Sequence, residues 1–130
     1  YFLCITLEMK DIINFIKNSG ISVTSARLIG GASKSDIWNQ IQCDMYNMDV
    51  YTLKIADAAI LGAAIFAGVG SGLFSSIRDG VKKMVIADKY YKPGTNSKLY
   101  ERLYDIYVRA YESLNNEKIF DLIVELQTTY

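Results

Sequence analysis

Residues 58–77 form a run of twenty positions without a charged side chain, and this run restricts the possible folds more than any other feature. Twenty apolar residues are enough to span a bilayer as a helix. Only eight of the twenty are strongly apolar, however, and the others are Ala, Gly and Ser. Alanines at 59, 63 and 67 would let a neighbouring backbone approach closely, as in a buried helix of a water-soluble domain. The run therefore predicts a core helix that packs against the helix containing Trp38, and not a membrane span.

Hydrophobic periodicity predicts a helix-rich α/β chain with two short strands. The predicted helices cover 2–17, a segment from Lys34 to about Met48, 58–70, 75–84, 99–114 and 119–126, and the predicted strands cover 23–29 and 50–53. Residues 88–96, around the single proline, are predicted to form a linker. Ser33 is the expected N-cap of the second helix. Four tyrosines spaced along 99–114 are expected to pack into the core.

The balance of charges excludes two classes of partner. Lys and Arg together number 14, as do Asp and Glu, so the formal net charge is zero, whereas nucleic acids and acidic membranes bind basic surfaces. We therefore expect no nucleic-acid partner and no membrane partner. The absence of histidine also excludes Ser–His and Cys–His nucleophile pairs and most zinc sites, so no metal ligand is nominated.

The cysteines and the chain length indicate the setting of the protein. Cys4 and Cys43 have no metal-like spacing and give no disulfide framework, which predicts a reducing, cytoplasmic location. The 130 residues amount to about one domain. Because the chain opens on Tyr-Phe-Leu-Cys without an initiator Met, we expect 1–130 to be a single-domain fragment of a longer protein, with an upstream domain absent.

Two glycine-containing stretches have to be distinguished from known phosphate-binding loops. The first, RLIGGASKSDIW at 27–38, is not a Walker A loop, because Ser33 precedes Lys34 where that motif needs glycine and the spacing is too short. The second, with glycines at 68, 70 and 72, is not a Rossmann fingerprint, because it follows a predicted helix. Neither standard motif is therefore present.

The first stretch still has the pattern of a strand, a loop of small residues and a helix. Small side chains at Gly30, Gly31 and Ala32 would let a ligand lie against the backbone. The amides and dipole of a helix N-terminus favour an anion at that place. From the residues alone, an anion site and an ordinary strand-to-helix turn fit equally well.

Two segments resemble motifs of the FGGY carbohydrate kinases. The segment 30–38, GGASKSxxW, is similar to the adenosine motif of that family, whose usual form is close to GGGAKSxxW. The segment 57–72, DAAILGAAIFAGVGSG, resembles the family helix E-x-A-A-L-G-A-A-x-x-A-x-x-G-x-G. The segments stand in the family's order, and the likeness extends to about Leu114. Ala32 departs from the family pattern, in which a third glycine is commoner.

The resemblance implies a fold. FGGY kinases have two actin-like ATPase domains of the ribonuclease H type, and ATP and sugar meet in the cleft between them. This chain resembles only the C-terminal part of the second domain. The implied fold class is therefore α/β and helix-rich, the distal half of an actin-like ATPase (ribonuclease H-like) domain.

The resemblance also implies a site and an activity. The residues implied to contact the nucleotide are Gly30, Gly31, Ala32, Ser33 and Ser35. The first four would line adenosine and the α-phosphate through their backbone, and the fifth would use its side chain. The implied activity is that of an ATP-dependent sugar kinase, which transfers the γ-phosphate of MgATP to a sugar hydroxyl. Ser35 together with Trp38 favours a ketopentose kinase of the xylulokinase type, acting on a sugar such as xylulose.

The partners implied by the resemblance are an adenine nucleotide and a sugar substrate, with ATP and Mg²⁺ as cofactors. The missing part of the protein would bind Mg²⁺ and the sugar. No catalytic residue is nominated, because the family's D-x-G-T phosphate motif is not in this chain. Asp36, Asp44 and Asp57 are each interpreted as helix-start residues.

Two other functions are also compatible with the sequence. One is a non-catalytic, nucleotide-responsive module of the actin-like ATPase type. The other is a ligand-free interaction domain that uses the 58–77 helix or the tyrosine stripe as its partner surface. Homodimer formation is also left open.

Overall fold

The computed structural model describes residues 2–129 as six α-helices, one short 3₁₀ helix and a three-stranded sheet. The helices are α1 (Phe2–Asn18), α2 (Asp36–Tyr46), α3 (Ala58–Gly70), α4 (Ile77–Met84), α5 (Ser97–Asn116) and α6 (Ile119–Thr129), with the 3₁₀ helix at Gly31–Lys34. The strands are β1 (Ser25–Leu28), β2 (Asp49–Leu53) and β3 (Ala87–Tyr91). The chain divides after Ser97 into two compact units, of which the first contains the sheet and α1 to α4. The prediction of a helix-rich α/β fold is confirmed.

The central strand of the sheet is β2, which pairs in parallel with β1 and antiparallel with β3. Parallel neighbours require a crossover connection, and the 3₁₀ helix with α2 supplies it. The prediction of a linker at 88–96 is wrong for its first residues, because β3 lies opposite β2, with Tyr91 facing Val50 in the register. The middle three residues of β3 are exposed, so this edge strand has no apolar run that a sequence pattern could detect.

The core of the first unit lies where α2 meets α1 and β2. Its fully buried side chains are Thr6, Asn39, Cys43, Met45 and Val50. Trp38, the only tryptophan, joins α1 to α2: its ring lies 4.6 Å from that of Phe2, and its Nε1 donates to the Thr6 hydroxyl at 3.1 Å. Burial of the apolar side chains in this core is the main source of stability for such a small unit.

The alanine stripe of α3 does not pack as predicted. The stripe residues Ala59, Ala63 and Ala67 are exposed, and the buried residues of this helix are Leu61, Ile65 and Gly68. Leucine and isoleucine also recur at a spacing of four, and burying them removes more apolar surface from water than burying alanine. The helix packs mainly on α4, and not on the helix containing Trp38. Among residues 2–129, no helix combines the length and apolar character needed to cross a bilayer.

The connection between α3 and α4 packs closely on Gly68. After α3 ends, the chain turns back so that the Phe74 amide donates to the Gly68 carbonyl at 3.0 Å. The Phe74 ring then lies over Gly68, where an added Cβ would be only 2.5 Å from two ring carbons. Packing of the Phe74 ring therefore requires a residue without a Cβ, that is glycine, at position 68.

The second unit consists of α6 and nearly all of α5, and neither helix has a fully buried residue. The rings of Tyr104 and Tyr107 stack on each other at 6.2 Å, and Tyr111 contacts Phe120 at 5.3 Å. The prediction that the tyrosine stripe packs into a core is therefore wrong, because none of its four rings is fully buried and Tyr111 is exposed.

Gly68→Ala is expected to lower the free energy of unfolding by about 1–3 kcal/mol, because the new methyl group would overlap the Phe74 ring. The matched control is Gly62→Ala on the same helix, where an added Cβ meets nothing within 4 Å. That control should gain up to about 1 kcal/mol from better helix propensity. Urea unfolding of both variants measures the difference, and equal shifts would contradict the packing argument.

The stability of the first unit is expected to fall above about pH 9. Burial raises the pKa of the Cys43 thiol to about 11, with a further contribution from Asp44, and burial raises the pKa of Tyr46 to about 12. The unfolded chain loses these protons near their ordinary pKa values of 9.0 and 10.0, while the folded chain keeps them, so rising pH favours unfolding.

Urea unfolding at about pH 8 and about pH 10.5 measures this loss. Tyr46→Phe should make the loss smaller, because the side chain can no longer ionise. The control is Tyr111→Phe, which removes an exposed tyrosine hydroxyl from α5, outside the first unit. A Tyr46→Phe variant with the parent's pH dependence would show that Tyr46 does not contribute.

Candidate functional site

The loop between β1 and α2 has a backbone conformation that only glycine adopts readily. Gly30 has φ 79° and ψ −175°, a region that costs other residues about 1–3 kcal/mol. Its amide donates to the Ala56 carbonyl at 2.7 Å, which joins the loop to the segment before α3. Its carbonyl accepts from both the Ser33 amide, at 3.2 Å, and the Ser33 hydroxyl, at 2.8 Å. The glycine therefore begins a tight, internally bonded turn.

One side of this turn is open. Gly30, Gly31 and Ala32 are exposed, and an added Cβ on either glycine would meet no atom within 4 Å. Ser33, in contrast, is buried and its hydroxyl is used within the turn. The prediction that the loop joins a strand to a helix and is open on one side is confirmed for the first three residues.

The open side of the loop forms one wall of a surface cleft of about 330 Å³. The cleft is lined by Ile29, Gly30, Gly31, Lys34, Ala56, Asp57, Ala58 and Ala59. The opposite wall is the start of α3, where the Asp57 carboxylate accepts from the amides of Ala59 and Ile60, both at 3.1 Å. A second cleft of about 270 Å³ lies beside the first, and Lys34 and Ala56 line both.

The five predicted nucleotide contacts therefore differ in position. Gly30 and Gly31 line the first cleft, and Ala32 is exposed next to them. Ser33 lines the second cleft with its few accessible atoms. The Ser35 hydroxyl accepts from the Trp38 amide at 3.3 Å, so Ser35 is the N-cap of α2. The prediction that Ser33 caps this helix is wrong, because Gly31–Lys34 forms a separate 3₁₀ turn.

A polar network lies behind the loop. Asn39, with none of its surface exposed, donates through Nδ2 to the Ser33 carbonyl at 2.7 Å and to the Tyr91 hydroxyl at 3.1 Å. Tyr91 in turn donates to Asp36 at 2.6 Å, and the same carboxylate accepts from Lys89 at 2.7 Å. The loop is thereby connected to α2 and to β3.

The charges of this network shift the pKa values of its members. Hydrogen bonds from Lys89 and then from Tyr91 lower the pKa of Asp36. The hydrogen bond with Asp36 raises the pKa of Lys89. Partial burial and the bond to Asp36 raise the pKa of Tyr91. At neutral pH the network therefore contains a charged Asp36–Lys89 pair and a neutral tyrosine.

Three aspartates were interpreted as helix-start residues, and this is correct for two. Asp36 is the first residue of α2, and Asp57 is the N-cap of α3. Asp44 lies near the end of α2, is buried, and accepts from Gln40 at 2.8 Å and from the Gly94 amide at 2.7 Å. Its interpretation as a helix-start residue is wrong, because it lies in the last turn of α2 and binds a backbone amide fifty residues further along the chain.

Sequence reasoning did not nominate Lys34 or the residues from Asp57 to Ala59 as site residues. The signal for the second group was present, since Asp57 opens the helix segment that was quoted for the resemblance. Tyr91 and Lys89 could not be found, because β3 was predicted to be a linker. Within the part of the chain that the structure describes, no group of three or more Cys, Asp or Glu side chains is placed to bind a metal ion.

Comparison with known proteins decides the family. Residues 2–71 match the model of the FGGY family of carbohydrate kinases, C-terminal domain. This chain belongs to that family. The FGGY chain is 34% identical over 109 residues to a xylulose kinase of Staphylococcus epidermidis, an alignment that covers 83% of this chain and 22% of the relative.

Solved structures give the same result for the fold. The crystal structure of a gluconate kinase from Lactobacillus acidophilus matches this FGGY chain with a TM-score of 0.75 and 25% identity, over 87% of this chain and 23% of that one. A ligand-bound xylulose kinase from the same organism matches with a TM-score of 0.74 and 26% identity, over 85% and 23% of the two chains. These sugar kinases have the actin-like ATPase fold, so the predicted fold class is confirmed. The chain spans about a fifth of the length of these relatives.

Gly30→Ala is expected to lower the free energy of unfolding by about 1–3 kcal/mol, because alanine does not tolerate the conformation of Gly30. Gly31→Ala is the control, since Gly31 has an ordinary backbone conformation and open space around it. That variant should stay within about 0.5 kcal/mol of the parent. Urea unfolding of both variants tests this difference. Equal stability of the two variants would show that alanine tolerates the backbone conformation of residue 30.

Proposed function

We propose that this FGGY chain supplies the adenosine-binding side of an ATP-dependent sugar kinase. The observation that carries the proposal is the open glycine face of the loop, which forms one wall of a cleft beside the start of α3. Glycine at both wall positions lets the flat adenine ring lie against the backbone without meeting a side chain. The cleft volume of about 330 Å³ is within the range of sites that bind small molecules.

The charges around the cleft suggest how a nucleotide would be oriented. The exposed Lys34 stands at the rim shared by the two clefts, where it would attract the phosphates. The Asp57 carboxylate on the opposite wall would repel phosphate but could accept hydrogen bonds from ribose hydroxyls. We therefore place the phosphates toward Lys34 and the second cleft. In this arrangement the adenosine lies between Gly31 and the start of α3.

The remaining parts of the kinase reaction would come from outside this chain. Phosphoryl transfer needs Mg²⁺, donors for the γ-phosphate and a carboxylate that accepts the proton of the attacking hydroxyl. The Asp36 carboxylate already accepts bonds from Lys89 and Tyr91, and Asp57 caps α3. We propose that a longer kinase, in which residues 1–130 are the distal half of one domain, contributes the Mg²⁺ site, the base and the sugar pocket, and that it works in the cytoplasm.

The sugar that we propose as the substrate is a ketopentose. Similarity to xylulose kinases favours a ketopentose such as xylulose, but a gluconate kinase is equally similar in fold. The indole of Trp38 contacts Phe2 and Thr6 on α1, so this residue does not itself select a sugar.

The test is an ADP titration of the 130-residue chain followed by NMR. We expect weak binding, with a Kd of about 1 mM, because half a cleft leaves the nucleotide largely in water. Resonances of Gly30 to Lys34 and of Ala56 to Ala59 should shift. Gly31→Leu should abolish these shifts by filling the cleft, whereas Ala63→Leu, at an exposed position on α3 outside the cleft, should keep them.

A coupled assay for ADP release, with a panel of ketopentoses, polyols and hexoses, should detect no sugar-dependent turnover by this chain. Turnover would show that a catalytic base lies within these residues, and Asp36 and Asp57 would be the first to replace. If ADP shifts only resonances far from the loop, the assignment of the cleft to adenosine is wrong. If no nucleotide binds at all, a ligand-free interaction domain becomes the better function.

A further inference from the structure

The amide of Asn39 lies directly beneath the glycine loop, and its orientation is determined by its partners. The Ser33 carbonyl can only accept a hydrogen bond, so the Asn39 nitrogen must face it. The second proton of the same nitrogen goes to the Tyr91 hydroxyl. Asn39 Oδ1 is buried and has no hydrogen-bond partner among the described residues.

An amide with one unpaired oxygen is a costly side chain to bury. An apolar residue of similar volume would pack at this position without that cost. The benefit of asparagine here is therefore its pair of donated bonds, and one of them ends on the backbone of the loop.

Tyr91 connects this amide to charged groups on the protein surface. Its hydroxyl accepts from Asn39 and donates to Asp36, the first residue of α2, which is paired with Lys89. Hydrogen bonds to a charged carboxylate are about twice as strong as those between neutral groups. Ser33, the buried residue of the turn, is thus connected through Asn39 and Tyr91 to β3 and to the start of α2.

We infer that Asn39 and Tyr91 are positioning residues, which keep the glycine loop in the conformation that accepts the nucleotide. This inference rests on the proposed function and adds to it a network that no loop motif contains. A loop already ordered before binding loses less conformational freedom when the ligand arrives, so affinity rises without any new contact. Neither residue lines the cleft, and neither is expected to touch the nucleotide.

The decisive comparison is Tyr91→Phe with Tyr90→Phe. Both changes remove one hydroxyl from the same strand, but Tyr90 is exposed and stacks on Tyr51, away from the loop. Tyr91→Phe removes both the bond from Asn39 and the bond to Asp36 and should weaken ADP binding about five-fold, whereas Tyr90→Phe should bind as the parent does. Equal affinities of Tyr91→Phe and the parent would overturn the inference.

A second measurement decides the inference even where ADP does not bind. Hydrogen exchange at the amides of Ser33 and Ser35, which donate to Gly30 and Ala32 within the turn, is followed without nucleotide. Exchange should be about five-fold faster in Tyr91→Phe and unchanged in Tyr90→Phe. Unchanged exchange in both variants would overturn the inference. Faster exchange in a chain that binds no ADP would support the network while rejecting the proposed function.

A conservative replacement separates positioning from a general loss of stability. Asp36→Asn keeps an oxygen that can accept from Tyr91, whereas Asp36→Ala removes it. The asparagine variant should bind ADP within about two-fold of the parent, and the alanine variant should lose about as much affinity as Tyr91→Phe. Equal losses in the two Asp36 variants would show that the carboxylate acts through its charge and not through the loop.

Discussion

The parallel pairing of β1 with β2 determines the position of everything else in the first unit. Two parallel strands must be joined by a crossover, and here the glycine turn and α2 form that connection. Both strands also end at the same edge of the sheet. The chain that follows β1 therefore meets the chain that follows β2, and the Gly30 amide donates to the Ala56 carbonyl. The cleft between the loop and α3 is a consequence of this pairing, because the C-terminal edge of a parallel pair is where open α/β sheets bind ligands.

Much of this arrangement could be predicted from the sequence because it depends on local patterns. Helices α1 and α2, the early end of α3 near Gly70, and the strand–glycine–helix order all follow from periodicity and from turn residues. The features that could not be predicted depend on partners distant in the chain. Strand β3 exists because β2 pairs with it, and Asp44 bonds to a turn fifty residues away. Spacing alone also could not show which stripe of α3 is buried.

The candidate site shows the same division. Its open wall consists of glycine backbone. A run of small residues between a predicted strand and a predicted helix can be recognised from the sequence alone. The side chains behind that wall are not visible, because Asn39 and Tyr91 are separated by 52 residues and meet only in the folded chain. Motif comparison therefore identifies the surface that a ligand would touch, while the structure is needed to find the groups that keep this surface in shape.

The position of Trp38 gives the first helix a role in the site that its distance from the cleft would not suggest. The indole packs against Phe2 and bonds to Thr6, while its backbone amide is held by the Ser35 cap just after the loop. The packing of α1 on α2 is thus coupled, through one aromatic residue, to the start of α2, the helix that follows the loop. Since Trp38 is the only tryptophan, fluorescence excited selectively at tryptophan reports on this junction directly. The folding of the candidate site can therefore be followed optically, without a label.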